Sequence, residues 1–319
     1  MSQSQVHGQR KAETCILAPV YPVEVYYFSK GASVKIIAEK FRLYWPLIKS
    51  LQTGLLLMTG AAGYLSAHAF IHWNDFLQMI PSLFLAISGS TILNMWWDRD
   101  IDAKMKRTHS RPTSAGLVTD HEVLRLGLIV SILGIGWAFW VNLLYGFVVC
   151  AGLFFDVVIY SMWLKRRTCW AIVWGGISGA MPVLSGRALA TGRIDPIGIL
   201  LAAAILFWIP THTLTFSLKF IEDYKNAGVP TFPATYGTQA TRIAIATSSI
   251  LAGLAMSVAA IWIGVAEGIL ALIIVLSAVL LFLAATVVFN PSDQTNLRLY
   301  KYASIYMLST MLLIIPYHI

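Results

Sequence analysis

Apolar residues run along this chain in blocks of about twenty, broken by short polar stretches. The blocks fall at 46–68, 77–97, 124–143, 146–164, 170–189, 196–218, 242–264, 267–289 and 300–316. A helix of about 20 apolar residues spans the hydrocarbon core of a bilayer. The pattern therefore predicts an all-α, multi-pass transmembrane helix bundle of about nine helices. Ahead of it, residues 1–31 are polar and then interrupted by proline, and are expected to form a flexible cytoplasmic segment before the membrane domain at 32–319. No continuous apolar region of a cleavable signal is present there. From Ser33 to Trp45 the residues Val34, Ile37, Ala38, Phe41 and Tyr44 make a helical stripe. It suits an interfacial amphipathic helix or an ordinary lead-in to the first block.

Composition agrees with this pattern: 57% of the 319 residues are hydrophobic and 12% are charged, against about 25% charged in an ordinary soluble domain. The placement of charge sets the orientation. Of the 23 Lys and Arg, all but Arg187 and Arg193 fall before the first block or in alternate loops. The positive-inside rule puts those segments, and the N-terminus, on the cytoplasmic side. Nine spans then put the C-terminus outside. The net charge of +8 follows from these loops, and anionic lipid headgroups explain it better than nucleic acid does. The three cysteines, Cys15, Cys150 and Cys169, have no metal-ligand spacing.

One stretch breaks the rule that cytoplasmic helix ends carry bases. Asn94 to Pro112 reads NMWWDRDIDAKMKRTHSRP. On a continuing helix, Asn94, Asp98 and Asp102 recur every four residues, each step drifting only about 40°, so they share one stripe. Asp100 falls on roughly the opposite side. Two carboxylates one turn apart beside an amide are hard oxygen donors, suited to Mg2+ held jointly with a substrate phosphate. Elsewhere Asp156 sits inside an apolar block, four residues before Tyr160. An ionisable group at that depth marks function or a hydrogen bond to a neighbouring helix. Lys165 and Arg166 end the same block, as phosphate ligands or as topology signals. A second polar cluster, Lys219, Glu222, Asp223 and Tyr224, ends the sixth block on the same side as Asp98. His212 lies about 10 Å of helix rise above Lys219, deeper in the membrane than the acidic end.

The run N-x-x-x-D-x-D-x-D-x-x-M-x-R-T-x-x-R-P, from Asn94 to Pro112, resembles the first Asp-rich motif of the UbiA superfamily of intramembrane prenyltransferases. In its extended form it is most similar to the protoheme IX farnesyltransferase (haem O synthase) branch. Further stretches are similar to that branch: Tyr160 to Thr168 (Y-x-x-x-x-K-R-x-T), Gly175 to Pro182, the Trp208–Pro210–His212 segment, and Asp223 to Pro230 (D-Y-x-x-A-G-x-P). Two departures stand out. Leu51 occupies the arginine position of a K-P-R-like stretch in which Lys49 matches. Lys219 stands where many members carry the first acid of a second DxxxD, leaving Glu222 and Asp223.

The resemblance implies a UbiA-like bundle in a prokaryotic inner membrane, with its active face toward the cytoplasm. It implies Mg2+ as cofactor, with Asn94, Asp98, Asp102 and Asp223 as metal ligands. Asp98, Asp102, Lys165, Asp223 and His212 would be catalytic. Lys49, Asn94, Arg107, Arg111, Asp156, Tyr160, Arg166, Glu222 and Tyr224 would bind substrate. Farnesyl diphosphate, protohaem (haem B) and membrane lipid are the implied molecular partners, with a haem A synthase or oxidase-assembly protein as the protein partner to look for. A quinone-precursor or other aromatic prenyltransferase is the alternative within this chemistry. A secondary transporter is the alternative outside it, but transporters favour broken helices around midplane sites, whereas these acids gather at helix ends.

Overall fold

A computed structural model describes residues 40–67 and 71–315. The 31/32 boundary and most of the Ser33–Trp45 stripe lie outside the described residues. A short 3-10 turn, Trp45–Ile48, leads into α1, Ser50–Leu65. There follow α2 (Trp73–Trp97), the short α3 (Arg99–Lys104), α4 (Asp120–Val141) and α5 (Leu143–Leu164). The rest are α6 (Ala171–Thr191), α7 (Pro196–Lys219), the short α8 (Ile221–Asn226), α9 (Phe232–Ile263), α10 (Glu267–Phe289) and α11 (Asp293–Leu313). Every described element is helical, as backbone groups in lipid require.

Among the described residues, six helices are long and apolar enough to cross a membrane: α2, α4, α5, α7, α9 and α10. Nine spans were expected. Of the remaining three, α1 has only 16 residues, α6 carries the buried Arg187 among its glycines, and α11 opens on a polar turn, Asp293-Gln-Thr-Asn. Boundaries move where local chemistry acts. α11 starts seven residues before the expected 300, because Ser292 and Thr295 form a reciprocal cap. α9 starts at Phe232 rather than 242, with a non-helical Gly237 (φ 83°) marking a kink. Asn142 both ends α4 and caps α5, its side chain accepting from the Tyr145 N–H at 3.1 Å.

Neighbours in sequence pack as neighbours in space: α1 on α2, α2 on α4, α4 on α5, α5 on α6 and α6 on α7. α7 then packs on α9 and α11, and α6 returns to α1. Glycines permit the closest crossings. A Cβ at Gly186 would lie 2.0 Å from the Gly60 carbonyl oxygen, and one at Gly63 would lie 2.1 Å from the Val183 carbonyl oxygen. Without a hydrophobic drive between helices in lipid, such backbone approaches supply the packing attraction. Interhelical hydrogen bonds add to it, each worth about 0.6 kcal/mol in membranes. Examples are Thr211 to Ser248 and Ser249 at 3.0 Å, Tyr306 to Ser277 at 3.0 Å, and Trp208 Nε1 to the Ala303 carbonyl at 2.7 Å.

One end of the bundle gathers the start of α1, the ends of α2 and α5, and α8. At the opposite end the buried Arg187 donates to both oxygens of Asp195 at 2.8–2.9 Å and to the Ser66 carbonyl at 2.9 Å. Asp195 in turn caps α7 by accepting from the Gly198 N–H at 2.8 Å. This answers the two exceptions to the charge rule in part: Arg187 is consumed by a structural clamp joining α1, α6 and α7.

Gly186→Ala should destabilise the bundle by roughly 1–3 kcal/mol, the usual cost of forcing extra atoms into a packed contact. The neighbouring atom is backbone and cannot rotate away. Thermal unfolding in detergent, compared with Gly136→Ala where a Cβ meets nothing within 4 Å, checks this.

Candidate active site

α2 ends at Trp97, and Asp98 leaves helical geometry (φ −89°, ψ 3°) before α3 resumes the rise. The break is short enough that Asn94, Asp98 and Asp102 still line one cavity, of about 240 Å³. Two apolar clusters hold this end of the bundle. Leu47 packs with Ile92, Met95, Val118 and Val123. Ile101 and Met105 pack with Ala227 and Val229, and Tyr224 sits against them. The second cluster draws α8 toward α3 and brings Tyr224 into the cavity wall.

Asp98 and Asp102 are both buried, 5% and 4% exposed, and each is met by a base from another segment. Lys165, at the end of α5, pairs with Asp98 Oδ2. Arg111, from the loop after α3, pairs with Asp102 Oδ2. Thr108 braces that loop by donating to the Asp102 carbonyl at 3.0 Å. Lys49, Arg107 and Tyr160 complete the charged and polar wall. Four basic side chains thus face two carboxylates, an excess that suits an anion of more than one charge. Gln52, which also lines the cavity, was not singled out from the sequence; its signal is a polar residue in the first turn of an otherwise apolar helix.

The turn geometry of α5 explains how Tyr160 and Lys165 act together. Its second half, Phe154–Leu164, is a π-helix. The Lys165 N–H bonds to the Tyr160 carbonyl five residues back, at 2.8 Å. This places residues five apart on one face, and the Lys165 ammonium lies 5.7 Å from the Tyr160 ring centre. Lys49 has the left-handed conformation φ 46°, ψ 58°, between the 3-10 turn and α1. No other non-glycine residue among those described has a positive φ. Such strain collects at functional sites.

The two lysines respond oppositely to the site. Burial lowers Lys49 to about 8, with Arg111 and Lys165 beside it adding to the effect. Burial also acts to lower Lys165, but the Tyr160 phenol and the Asp98 carboxylate outweigh it and hold the ammonium above its usual value.

Not every expected residue reaches this cavity. Asp223 and Glu222 line a neighbouring cavity of about 420 Å³ with Lys106, Lys219 and Phe220, and Arg107 forms the wall between the two. The reason is a break at Phe220 (φ −114°, ψ 30°), which resets the helical phase so that Tyr224, not Asp223, faces Asp98. Arg166 grips Asp100 with both nitrogens at 2.7–2.8 Å and the Trp97 carbonyl at 2.8 Å, on the exposed side of α3. Its guanidinium clamps a helix end. Asp156 does not line the cavity; it accepts hydrogen bonds from Ser90 and Asn94 behind the wall. His212 lies between Trp208 and Tyr300, with ring centres 5.0 and 4.5 Å away, and its Nδ1 is 3.2 Å from Ser304 Oγ. It lines neither cavity.

The donors left over fit a divalent cation. Asn94 Oδ1 and Asp98 Oδ1 are buried and accept no hydrogen bond among the described residues. No group of three or more His, Cys, Asp or Glu among those residues is placed to cage a metal by itself. One or two carboxylates with an amide oxygen make a donor set that a hard divalent cation can share with substrate phosphates.

A membrane-type helical bundle closed at one end by buried acids under a crown of bases suits an amphiphile with an anionic head. The chain belongs to the UbiA prenyltransferase family, whose model matches residues 55–308. A protein from Archaeoglobus fulgidus named protoheme IX farnesyltransferase is 39% identical over 268 residues, covering 83% of this chain and 94% of that protein. Solved structures share the fold at lower identity. One, of digeranylgeranylglyceryl phosphate synthase, has a TM-score of 0.73 at 20% identity, covering 87% of this chain and 98% of its own. A second, a UbiA homolog from Archaeoglobus fulgidus bound to DMAPP and Mg2+, has a TM-score of 0.65 at 17% identity, covering 86% and 99%.

Lys49 at about 8 is charged below that pH and neutral above it. The KM for a prenyl diphosphate should therefore rise between pH 7 and pH 9, by about tenfold if one charge-assisted hydrogen bond is lost. Steady-state kinetics of the wild type against Lys49→Met checks this, since the variant lacks the Lys49 ammonium and should lose the rise that its titration causes.

Proposed function

We propose that this chain transfers the farnesyl group of farnesyl diphosphate to a vinyl group of protohaem, giving haem O. The observation that carries the chemistry is the cavity in which Asp98 and Asp102 are each tied to a base, while one oxygen of Asp98 and one of Asn94 accept no hydrogen bond among the described residues, beside an excess of positive charge. The choice of acceptor and prenyl donor is supported by the protoheme IX farnesyltransferase from Archaeoglobus fulgidus, aligned over most of both chains.

Mg2+ is the cofactor in this reading, as in the UbiA homolog bound to DMAPP and Mg2+. Asn94, Asp98 and Asp102 would hold it, and when bound it would neutralise charge on the diphosphate oxygens. Lys165, Arg111, Arg107 and Lys49 bind the diphosphate. As the farnesyl C–O bond breaks, its electron pair leaves with the diphosphate, and these bases stabilise the growing charge where it appears. Tyr160, lining the cavity wall, presents an aromatic ring toward the allylic cation. The vinyl group of protohaem attacks the farnesyl carbon, water adds to the resulting cation, and a proton is released, leaving a hydroxyethylfarnesyl side chain.

The membrane arrangement follows the charge pattern. The site end faces the cytoplasm of a prokaryotic inner membrane, with the N-terminal segment inside. α1, α6 and α11 cross with the six more apolar helices, their polar atoms taken up inside the bundle, as the Arg187–Asp195 pair illustrates.

Purified protein given haem B, farnesyl diphosphate and Mg2+ should yield a product of haem O mass. Prenylation of an aromatic acid or quinone precursor, with haem untouched, would replace the acceptor and leave the family. Asp98→Asn and Asp102→Asn should each lower kcat by at least about 100-fold, the scale for losing one group that stabilises transition-state charge, with the fold retained by circular dichroism. Lys165→Ala should raise the KM for the diphosphate and lower kcat. Arg166→Ala, which removes the clamp on Asp100 and the Trp97 carbonyl, should leave KM within about twofold. Equal kinetic losses for the two bases would mean that Arg166 also reaches substrate.

A further inference from the structure

Asp156 is an acid placed within a membrane helix yet outside the cavity that the reaction uses. In α5 it sits in the π-helical stretch Phe154–Leu164. Among the described residues it has no basic partner within ion-pair distance. Its charge is met by neutral donors instead. Ser90 Oγ and Asn94 Nδ2 both donate to Asp156 Oδ2, the latter at 2.7 Å, and Ser178 Oγ approaches Oδ1 at 3.5 Å. Three helices, α2, α5 and α6, thus meet at one carboxylate. A charge held this way in a membrane is costly, so its retention calls for a return.

Asn94 supplies that return. A carboxylate offers only acceptors, so the amide must turn its NH2 toward Asp156. Its Oδ1 is then forced to the other side of the planar group. That oxygen is buried, accepts no hydrogen bond among the described residues, and belongs to the wall of the Asp98–Asp102 cavity. The neighbouring Asp98 Oδ1 is in the same condition. We propose that Asp156 is a positioning residue: through Ser90 and Asn94 it fixes the Asn94 amide with its oxygen toward the cavity, where that oxygen completes the donor set for a divalent cation. With a neutral amide at 156, either face of the Asn94 amide satisfies the contact, and the oxygen is no longer committed. The proposal rests on the reading of Asn94, Asp98 and Asp102 as the metal site. It moves Asp156 from touching substrate to orienting a ligand.

The test is direct Mn2+ binding, counted from the free-ion paramagnetic resonance signal. Purified protein is titrated with inorganic pyrophosphate present, against pyrophosphate alone. The wild type should bind; Asp156→Asn should bind about 10–100-fold more weakly, the usual effect of losing a group that orients a metal ligand. In a double-mutant cycle, Asn94→Ala with Asp156→Asn should bind no more weakly than Asn94→Ala by itself, because both remove the same oriented oxygen. The exchanged pair, Asn94→Asp with Asp156→Asn, keeps one carboxylate and one amide in contact and leaves a carboxylate oxygen toward the cavity, so it should recover affinity relative to Asp156→Asn.

Wild-type affinity in Asp156→Asn, or additive losses in the cycle, would overturn the positioning role. So would an exchanged pair that folds without recovering. If Asp156→Asn does not fold, the exchanged pair carries the test, and its failure to fold counts against the proposal because it preserves the contact in question. A wild type that binds no Mn2+ removes the metal reading and this inference with it. A wild type that binds while Asp156→Asn binds equally removes this inference and leaves the metal reading standing.

Discussion

The end of the bundle that carries chemistry depends on burying two carboxylates. Asp98 and Asp102 are almost wholly out of solvent, and an uncompensated charge there would cost several kcal/mol. Compensation cannot come from α2 and α3 themselves, whose nearby bases point elsewhere: Arg99 pairs with Asp120. It comes from Lys165 on α5 and Arg111 on the following loop. The two ion pairs therefore fix where distant segments must lie. The apolar contacts of Ile101 and Met105 with Ala227 and Val229 then add the loop after α8. The site is assembled by its own electrostatics as much as by the helices below it.

Much of this was legible in the chain. The four-residue spacing of Asn94, Asp98 and Asp102 placed them on one wall even though the helix breaks at Asp98, because the break is a single residue and α3 restores the rise. Lys165 and Arg111 were marked by their positions in long motifs. What escaped was wherever helical phase changes. At Phe220 the phase resets and exchanges Asp223 for Tyr224 in the cavity. Asp156 and Tyr160 lie four apart in α5, yet only Tyr160 lines the cavity, while Asp156 is taken up by Ser90 and Asn94. Arg166, adjacent to Lys165, turns to the other side of α3 and takes Asp100. His212 showed no sign in sequence of its aromatic neighbour Tyr300, which arrives from α11, eighty-eight positions later. Periodicity carries across a regular helix and fails at its irregularities, and this site is built largely from irregularities.

The two ends of the bundle differ in kind. At the far end Arg187 spends its donors on Asp195 and Ser66, and the carboxylate's remaining capacity caps α7. At the site end, one oxygen each on Asn94 and Asp98 accepts no hydrogen bond among the described residues, and the positive charge lining the cavity exceeds the negative. One end is satisfied within the protein. The other keeps donors and acceptors directed into a cavity. This asymmetry, on a fold shared with other UbiA proteins, separates what holds the helices from what engages a ligand.

The π-helical half of α5 has a further consequence, for how such a chain can vary. A regular helix imposes one periodicity along its whole length, so the residues turned to lipid near its start dictate which positions face inward near its end. The wide turns after Phe154 uncouple the two. Residues 143–153 can drift with the demands of the bilayer, while Tyr160 and Lys165 keep their aim on Asp98. The slack is written into the backbone rather than into any side chain. It is inherited as a matter of length: substitutions within the stretch leave it in place, while the gain or loss of one residue would rotate everything downstream by about 100°.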